Sequence, residues 1–351
     1  MTGKSKLIKA LSVVLALVML LGVMPVSSLV ASAETEGYLT YKVSGGKAVI
    51  IGCNDAVSGE LVIPETLGSY PVVKIDLGSF SDCDSLISVS VPDSVESIGS
   101  SAFADCDRLA IVKIGKGVTS IGSNVFNNSI ALEKIEVAKE NKAYVSEDGA
   151  LYNKAKTDLV VFPAANVVDS FTVAENVTEI KAGAFLGTKH LKSIVIGDKV
   201  TKIGNNAFLG SMNLQTISIG KSVTTIGTDA FKGCSKLTGF VVSADNNVLK
   251  SDAFGVLYSK DGTQLINYPA GSTGKKYEIA DGTKVINLCA FESAIALSEI
   301  RIPKSLVEVE PSAFSGCLAL SKVNYAGSDV EWANVQIGGN NEDLESADFV
   351  F

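Results

Sequence analysis

The chain has 351 residues, 46% of them hydrophobic, and carries 30 basic side chains against 38 acidic ones with a single histidine, a formal charge of −8. An acidic balance without a basic stripe argues against nucleic acid or an anionic membrane as partner, because both are held by clustered positive charge. One His, with no Cys-x-x-Cys pair beside it, leaves no usable ligand set for zinc.

Residues 1–33 read as a secretory leader. Lys4, Lys6 and Lys9 precede an apolar run from Ala10 to Val30, and Ala31-Ser32-Ala33 supplies small residues at a cleavage point. A retained membrane anchor competes with this reading, since the run approaches spanning length. Met24-Pro25 interrupts the run, however, and no basic stop-transfer cluster follows. Cleavage would remove three Lys and no acid, leaving 27 basic and 38 acidic side chains, or −11. The expected location is therefore extracellular, secreted or held at the cell surface, with no stable membrane span.

Residues 34–74 form an expected N-terminal β cap. Tyr41-Lys42-Val43 and Ala48-Val49-Ile50-Ile51 alternate around Ser44-Gly45-Gly46 as a hairpin, and Leu61-x-Ile63-Pro64 then begins a stack. From 75 to 326 one pattern recurs eight times, marked by Phe80, Phe103, Phe126, Phe185, Phe208, Phe231, Phe291 and Phe314. Ile or Val stands five residues before each Phe and Leu six residues after it. Steps such as Leu86-x-x-Val89-x-Val91 end in period two, as a strand with one buried face requires, and Pro92 stops the strand by removing a ladder donor. Gly99 is expected to permit the next turn, and Ala102-Phe103 to send a ring between layers. One such unit cannot bury its apolar edge alone, so stability must come from stacking neighbours.

The residues Ile98-Gly99-x-x-Ala102-Phe103-x-x-Cys106-x-x-Leu109-x-x-Val112-x-Ile114, with further copies such as Ile226-Gly227-x-x-Ala230-Phe231-x-x-Cys234-x-x-Leu237, resemble the BspA-like leucine-rich repeat family. The asparagine that follows the strand in general leucine-rich repeats is replaced by residues such as Ser94, Ser222 and Ser305. The resemblance covers nearly all of the chain after the leader. It implies a leucine-rich-repeat solenoid, mainly β with short helical turns, whose curved parallel sheet lies on the concave side. It also implies a bacterial surface or secreted role in binding, including adhesion to host proteins.

Two longer gaps hold matching inserts, near 139–170 and 244–276. Gly149-Ala150-Leu151-Tyr152 and Leu159-Val160-Val161-Phe162-Pro163 correspond to Gly255-Val256-Leu257-Tyr258 and Leu265-Ile266-Asn267-Tyr268-Pro269, and both read as β-hairpins. Counting each insert as one rung predicts ten rungs, or about 48 Å of sheet at ~4.8 Å per strand. Residues 327–351 are expected to cap the far end, with a short helix begun by Ser328-Asp329-x-Glu331-Trp332.

No catalytic constellation emerges, so the protein is expected not to be an enzyme and to need no cofactor. His190 lies in a turn without a companion histidine, and the carboxylates scatter over turns with no D-x-D-x-D-G calcium loop among them. Cys83, Cys106, Cys234 and Cys317 all stand three residues after a repeat Phe, where other copies carry Ser129, Thr188, Ser211 and Ala294, a position for a small buried side chain. Only Cys83 and Cys106 lie on adjacent rungs, close enough for a bridge if their side chains converge. Cys53 and Cys289 have no evident partner.

Candidate binding residues come from the outward positions of the Leu-x-x-Ile-x-Ile strands, where the charged members are Lys113, Lys134, Glu136, Glu299, Arg301 and Lys322. That set lacks an aromatic residue, whereas binding hot spots favour Trp, Tyr and Arg. Tyr144, Tyr152, Tyr258 and Tyr268 of the hairpins are the alternative surface, against the simpler reading that they pack locally. The expected partner is an extracellular protein or glycan; a structural spacer in a surface layer, with no dedicated ligand, is the competing role.

Overall fold

The computed structural model describes residues 33–351, so all of the proposed leader but its last residue lies outside the described residues. Most repeats place one four-residue strand on a wide face and one two-residue strand on a narrow face, as Ile111–Ile114 and Ser120–Ile121 do. Both sets pair in parallel and in register, Val89 with Val112 and Val112 with Ile135 on the wide face, Ile98 with Ile121 on the narrow one. Alternation follows from the pleat: Val112 and Ile114 are buried while Lys113 between them is exposed.

Three register positions acquire a physical reason. The residue two before each repeat Phe has a positive φ in all eight copies, at Gly78, Ser101, Asn124, Gly183, Asn206, Asp229, Cys289 and Ser312. Glycine, asparagine and aspartate tolerate that left-handed backbone best, which accounts for much of this column. The glycine after the narrow-face Ile has a different role from the turn freedom expected of it. A Cβ on Gly99 would lie 2.6 Å from the Leu77 backbone nitrogen, and one on Gly204 2.5 Å from that of Ala182, so these glycines allow neighbouring turns to touch. Finally, the small residue three after Phe donates to a carbonyl of the preceding turn in five of the eight copies. Cys106 Sγ donates to the Phe80 carbonyl at 3.0 Å, Ser129 Oγ to Phe103 at 2.6 Å, Ser211 Oγ to Phe185 at 2.7 Å and Cys317 Sγ to Phe291 at 3.0 Å. Each thereby satisfies a buried carbonyl one rung away.

All six cysteines are free thiols. Cys106 is committed to the Phe80 carbonyl, and Cys53 Sγ donates to the Asn54 carbonyl at 3.7 Å.

The stack is divided into three modules, each opened by an antiparallel meander. These are Glu34–Glu36, Leu39–Ser44 and Lys47–Cys53; then Tyr144–Glu147, Ala150–Asn153 and Asp158–Val161; then Leu249–Ser251, Leu257–Ser259 and Gln264–Asn267. All three share one bulge and one register, with Tyr41 opposite Ile50, Tyr152 opposite Leu159 and Tyr258 opposite Leu265. The N-terminal cap is thus the same unit as the two inserts. Instead of one sheet of about 48 Å, the wide face consists of three separate four-stranded sheets. Strands at both ends lengthen the stack: Gly59–Val62 starts the first wide-face sheet, and Asp348–Val350 completes the third while Gln336–Ile337 extends the narrow face. The solenoid makes about 13 turns rather than ten.

Each of the two internal meanders also closes an edge. The backbone N–H of Ile135 donates to the Gly149 carbonyl at 2.9 Å and that of Phe240 to Gly255 at 2.9 Å, so a hairpin tip covers the last strand of the preceding sheet. Asn141 and Asn246 plug the same junctions from inside. Asn141 Nδ2 donates to Gly115 and Val118 carbonyls at 2.9 and 3.0 Å, while its Oδ1 accepts from Ala143 and Tyr144 N–H at 2.8 Å. Asn246 repeats all four bonds with Gly220, Val223, Val248 and Leu249.

The core divides likewise. Rings stack as Phe80–Phe103–Phe126, as Phe162–Phe185–Phe208–Phe231 and as Tyr268–Phe291–Phe314, with centroids 4.7–5.8 Å apart. At the C-terminal end Ser328 and Glu331 form a reciprocal capping box on the helix Asp329–Trp332, as its sequence signature predicts. Trp332 packs against Tyr325 and Phe349.

Candidate binding surfaces and junction clefts

The wide face carries its charge in two groups. In the first sheet Lys134 and Glu136 pair at 2.7 Å, and Lys113 stands exposed opposite Glu136. In the third sheet Glu299 is gripped by Lys276 at 2.7 Å and Lys322 at 3.6 Å, and accepts from Asn324 Nδ2 at 2.8 Å. The Lys276 ammonium and the Asn324 amide, with Lys322 beside them, hold the Glu299 carboxyl down at about 2. Arg301 pairs with Asp281 at 3.0 Å.

The middle sheet between these groups presents Ser170, Thr172, Ser193, Val195, Thr216, Ser218, Gly239 and Val241, with no charge at all. Val195 and Val241 are 44% and 60% exposed. The six charged candidates are therefore not one patch; a neutral strip separates them.

Sequence reasoning found no aromatic on this face and missed Phe254. It sits in the third meander's hairpin tip, beside Gly255, whose carbonyl is bound to the Phe240 N–H of the middle sheet. Its ring meets that of Tyr277 in the third sheet edge-on at 6.0 Å, yet stays 70% exposed. An aromatic side chain thus stands at the seam between the neutral and the charged sheet. The clue in the sequence is one extra residue in the second hairpin tip, Asp252-Ala253-Phe254-Gly255 against Glu147-Asp148-Gly149.

The hairpin tyrosines form no surface. Tyr152, Tyr258 and Tyr268 are buried, and Tyr258 shares a 2.6 Å hydroxyl–hydroxyl bond with Tyr277, which donates onward to Asp252 at 2.8 Å. Burial pushes the Tyr152, Tyr258 and Tyr268 phenols upward. Tyr144 alone is half-buried, and its hydroxyl accepts from the Ile121 N–H at 3.0 Å. His190 lies exposed in its turn.

Two clefts open on the narrow side where the ring columns break. The first, about 470 Å³, lies between Phe126 and Phe162; the second, about 240 Å³, runs beside Phe231 and Ile266. Around the first, Lys181 bridges Asp158 at 2.9 Å and Glu179, and Lys202 holds Glu179 at 2.9 Å. Across the second, Lys232 reaches Glu292 at 3.3 Å. Among the described residues, no group of three or more His, Cys, Asp or Glu is placed to hold a metal ion, and no helix is long and apolar enough to cross a membrane.

A parallel two-faced stack built on Leu, Ile and Phe registers defines a leucine-rich-repeat solenoid. The pattern of the BspA-type leucine-rich repeat region matches residues 73–165, 160–261 and 270–347, and the chain belongs to that family. Among solved structures it is similar to a leucine-rich repeat protein from Eubacterium ventriosum, at 23% identity over 90% of this chain and 94% of that one, with a TM-score of 0.53. A leucine-rich cell surface protein from Faecalibacterium prausnitzii aligns at 22% identity over 88% and 99%, with a TM-score of 0.41. The pneumococcal vaccine antigen PcpA aligns at 16% over 92% and 98%, with a TM-score of 0.46. The first of these likenesses speaks for the fold alone. None of the curated proteins matches.

Proposed function

We propose that this chain is a secreted or cell-surface, non-catalytic binding protein that engages an extracellular protein or glycan through the wide face. The observation that carries the reading is Phe254, left 70% exposed at the seam of two sheets. The strand it touches through Tyr277 pairs with the strand that bears Arg301. An exposed ring beside a neutral strip, one strand removed from an arginine, combines apolar area with an orienting charge, the usual make-up of a hot spot. The leader-like residues 1–33 and the family's surface proteins support an extracellular location.

The test is capture by immobilised extracellular-matrix proteins and glycans. Phe254→Ala and Arg301→Ala should each weaken capture about tenfold, on the order of 1.4 kcal/mol, with an unchanged melting temperature. No capture across the panel, or capture indifferent to both substitutions, would sink the reading. Self-association without capture would favour a spacer role.

A further inference from the structure

We infer that the first junction cleft is a binding site for a neutral sugar unit, separate from the wide face. Its volume of about 470 Å³ falls in the ~300–1,000 Å³ range of small-molecule sites. The floor is apolar, with Val125, Phe126 and Phe162 at its base and Leu186 on its flank, a surface suited to the C–H face of a pyranose ring. The rim is polar and uncharged in sum. Asp158 and Glu179 are neutralised by Lys181 and Lys202, so the site offers fixed oxygen acceptors and ammonium donors but no net field to attract an ion.

Amides complete the rim. Asn124 and Asn127 line the cleft with side chains that make no hydrogen bond among the described residues, where Asn205 uses only its Oδ1, accepting from the Thr228 N–H at 3.1 Å. Planar amides with free donors and acceptors beside an apolar floor match a ligand of many hydroxyls and no charge. A peptide added as a strand is a poorer fit, because the Ile121 N–H facing the cleft is already taken by the Tyr144 hydroxyl.

The second junction serves as an internal control. At the positions of Asn127, Ala182, Gly183 and Leu186 it carries Lys232, Leu288, Cys289 and Glu292, which bridge and fill the space down to about 240 Å³. The same architecture therefore exists in one chain with the site open and with it filled.

A glycan array followed by calorimetry tests the assignment, using the chain from residue 34 onward. The probes are glucose-, galactose-, mannose- and N-acetylglucosamine-terminated oligosaccharides beside sialylated and sulfated counterparts. Binding of a neutral sugar is expected, weakened about tenfold or more by Asn124→Ser and by the pair Asn127→Lys/Ala182→Leu, which copies the second junction. Phe254→Ala should leave it unchanged. Asn124→Ser alters an exposed side chain without bonds, so it reports on the site even if the double variant folds poorly. No neutral sugar bound at millimolar concentration, a preference for charged glycans, or binding lost with Phe254 but kept in the Asn124 and double variants would overturn the assignment. Sugar binding intact, with no protein capture that depends on Phe254 or Arg301, would reject the earlier reading and leave this one standing.

Discussion

The two module junctions are built alike and finished differently. Both begin at an asparagine plug, both turn a hairpin tip onto the last wide-face strand, and both interrupt the ring column. At the second, Lys232 and Glu292 clasp across the gap while Leu288 and Cys289 occupy it; at the first, Asn127, Leu186, Ala182 and Gly183 leave it open. The backbone repeat thus supplies a place for a cleft, and a few side chains decide whether it exists. Cys289 even takes a left-handed conformation, φ +54°, where the first junction has Gly183. Such a residue fills space at a cost of about 1 kcal/mol in backbone strain.

The strongest way to probe this difference is through the rings. Phe208 is stacked on both sides, by Phe185 at 4.9 Å and Phe231 at 5.8 Å, whereas Phe126 stacks only on Phe103 and borders the open cleft. Phe208→Ala should cost about 4 kcal/mol in urea unfolding and Phe126→Ala about 2–3 kcal/mol, since the latter void is reached by water. Equal losses would mean that the first cleft does not loosen its surroundings.

Next in size are the plugs. Asn141→Ala and Asn246→Ala each strand two carbonyls and two N–H groups in the interior, a loss of about 3 kcal/mol at either junction. The two values should agree within about 0.5 kcal/mol, because the four bonds are the same. Hydrogen exchange should show the released protection confined to the strands flanking the mutated plug. A marked inequality would show that the junctions differ in backbone as well as in filling.

The smallest effect separates the junctions by pH. Burial opposes the charge on Glu179, but the Lys181 and Lys202 ammoniums outweigh it and hold the carboxyl below its ordinary 4.5. A depressed carboxyl adds stability that is fully present above its unfolded value and fades as pH falls through the folded one. The corresponding place in the second junction is Val285, opposite Gln264. Acidification from pH 6 into the range below 4.5 should therefore speed exchange around 158–181 more than around 264–287. The reverse order would remove the ion-pair network from the account of the first cleft.

Much of this was legible in the residues. Phe103, Leu109, Val112 and Ile121 announce their columns because a stacked core needs the same volume at the same step in every turn. The hairpins were legible in Gly149-Ala150-Leu151-Tyr152 and its copy, and the final helix in Ser328 and Glu331. The N-terminal meander escaped notice as a third copy because only Tyr41 and its bulge are shared, not the surrounding letters. Asn141 and Asn246 had a usable signal, each four residues after Val137 or Val242, but nothing in a linear pattern says that such an asparagine is buried. The site residues fared least well. Lys113, Lys134 and Glu136 lie on one sheet and Glu299, Arg301 and Lys322 on another, and the exposed ring belongs to a hairpin rather than to a strand.

By itself, then, the sequence determined the rung: its period, its buried columns, its two faces and its family, all of which depend on spacing along a chain that stacks on itself. Only the tertiary structure decided where the sheet divides, which tyrosines are core, that Phe254 is exposed, and that one junction is open while its twin is clasped. Those outcomes depend on side chains from different turns meeting across a gap. Their volumes and charges add up only once the turns have been brought together.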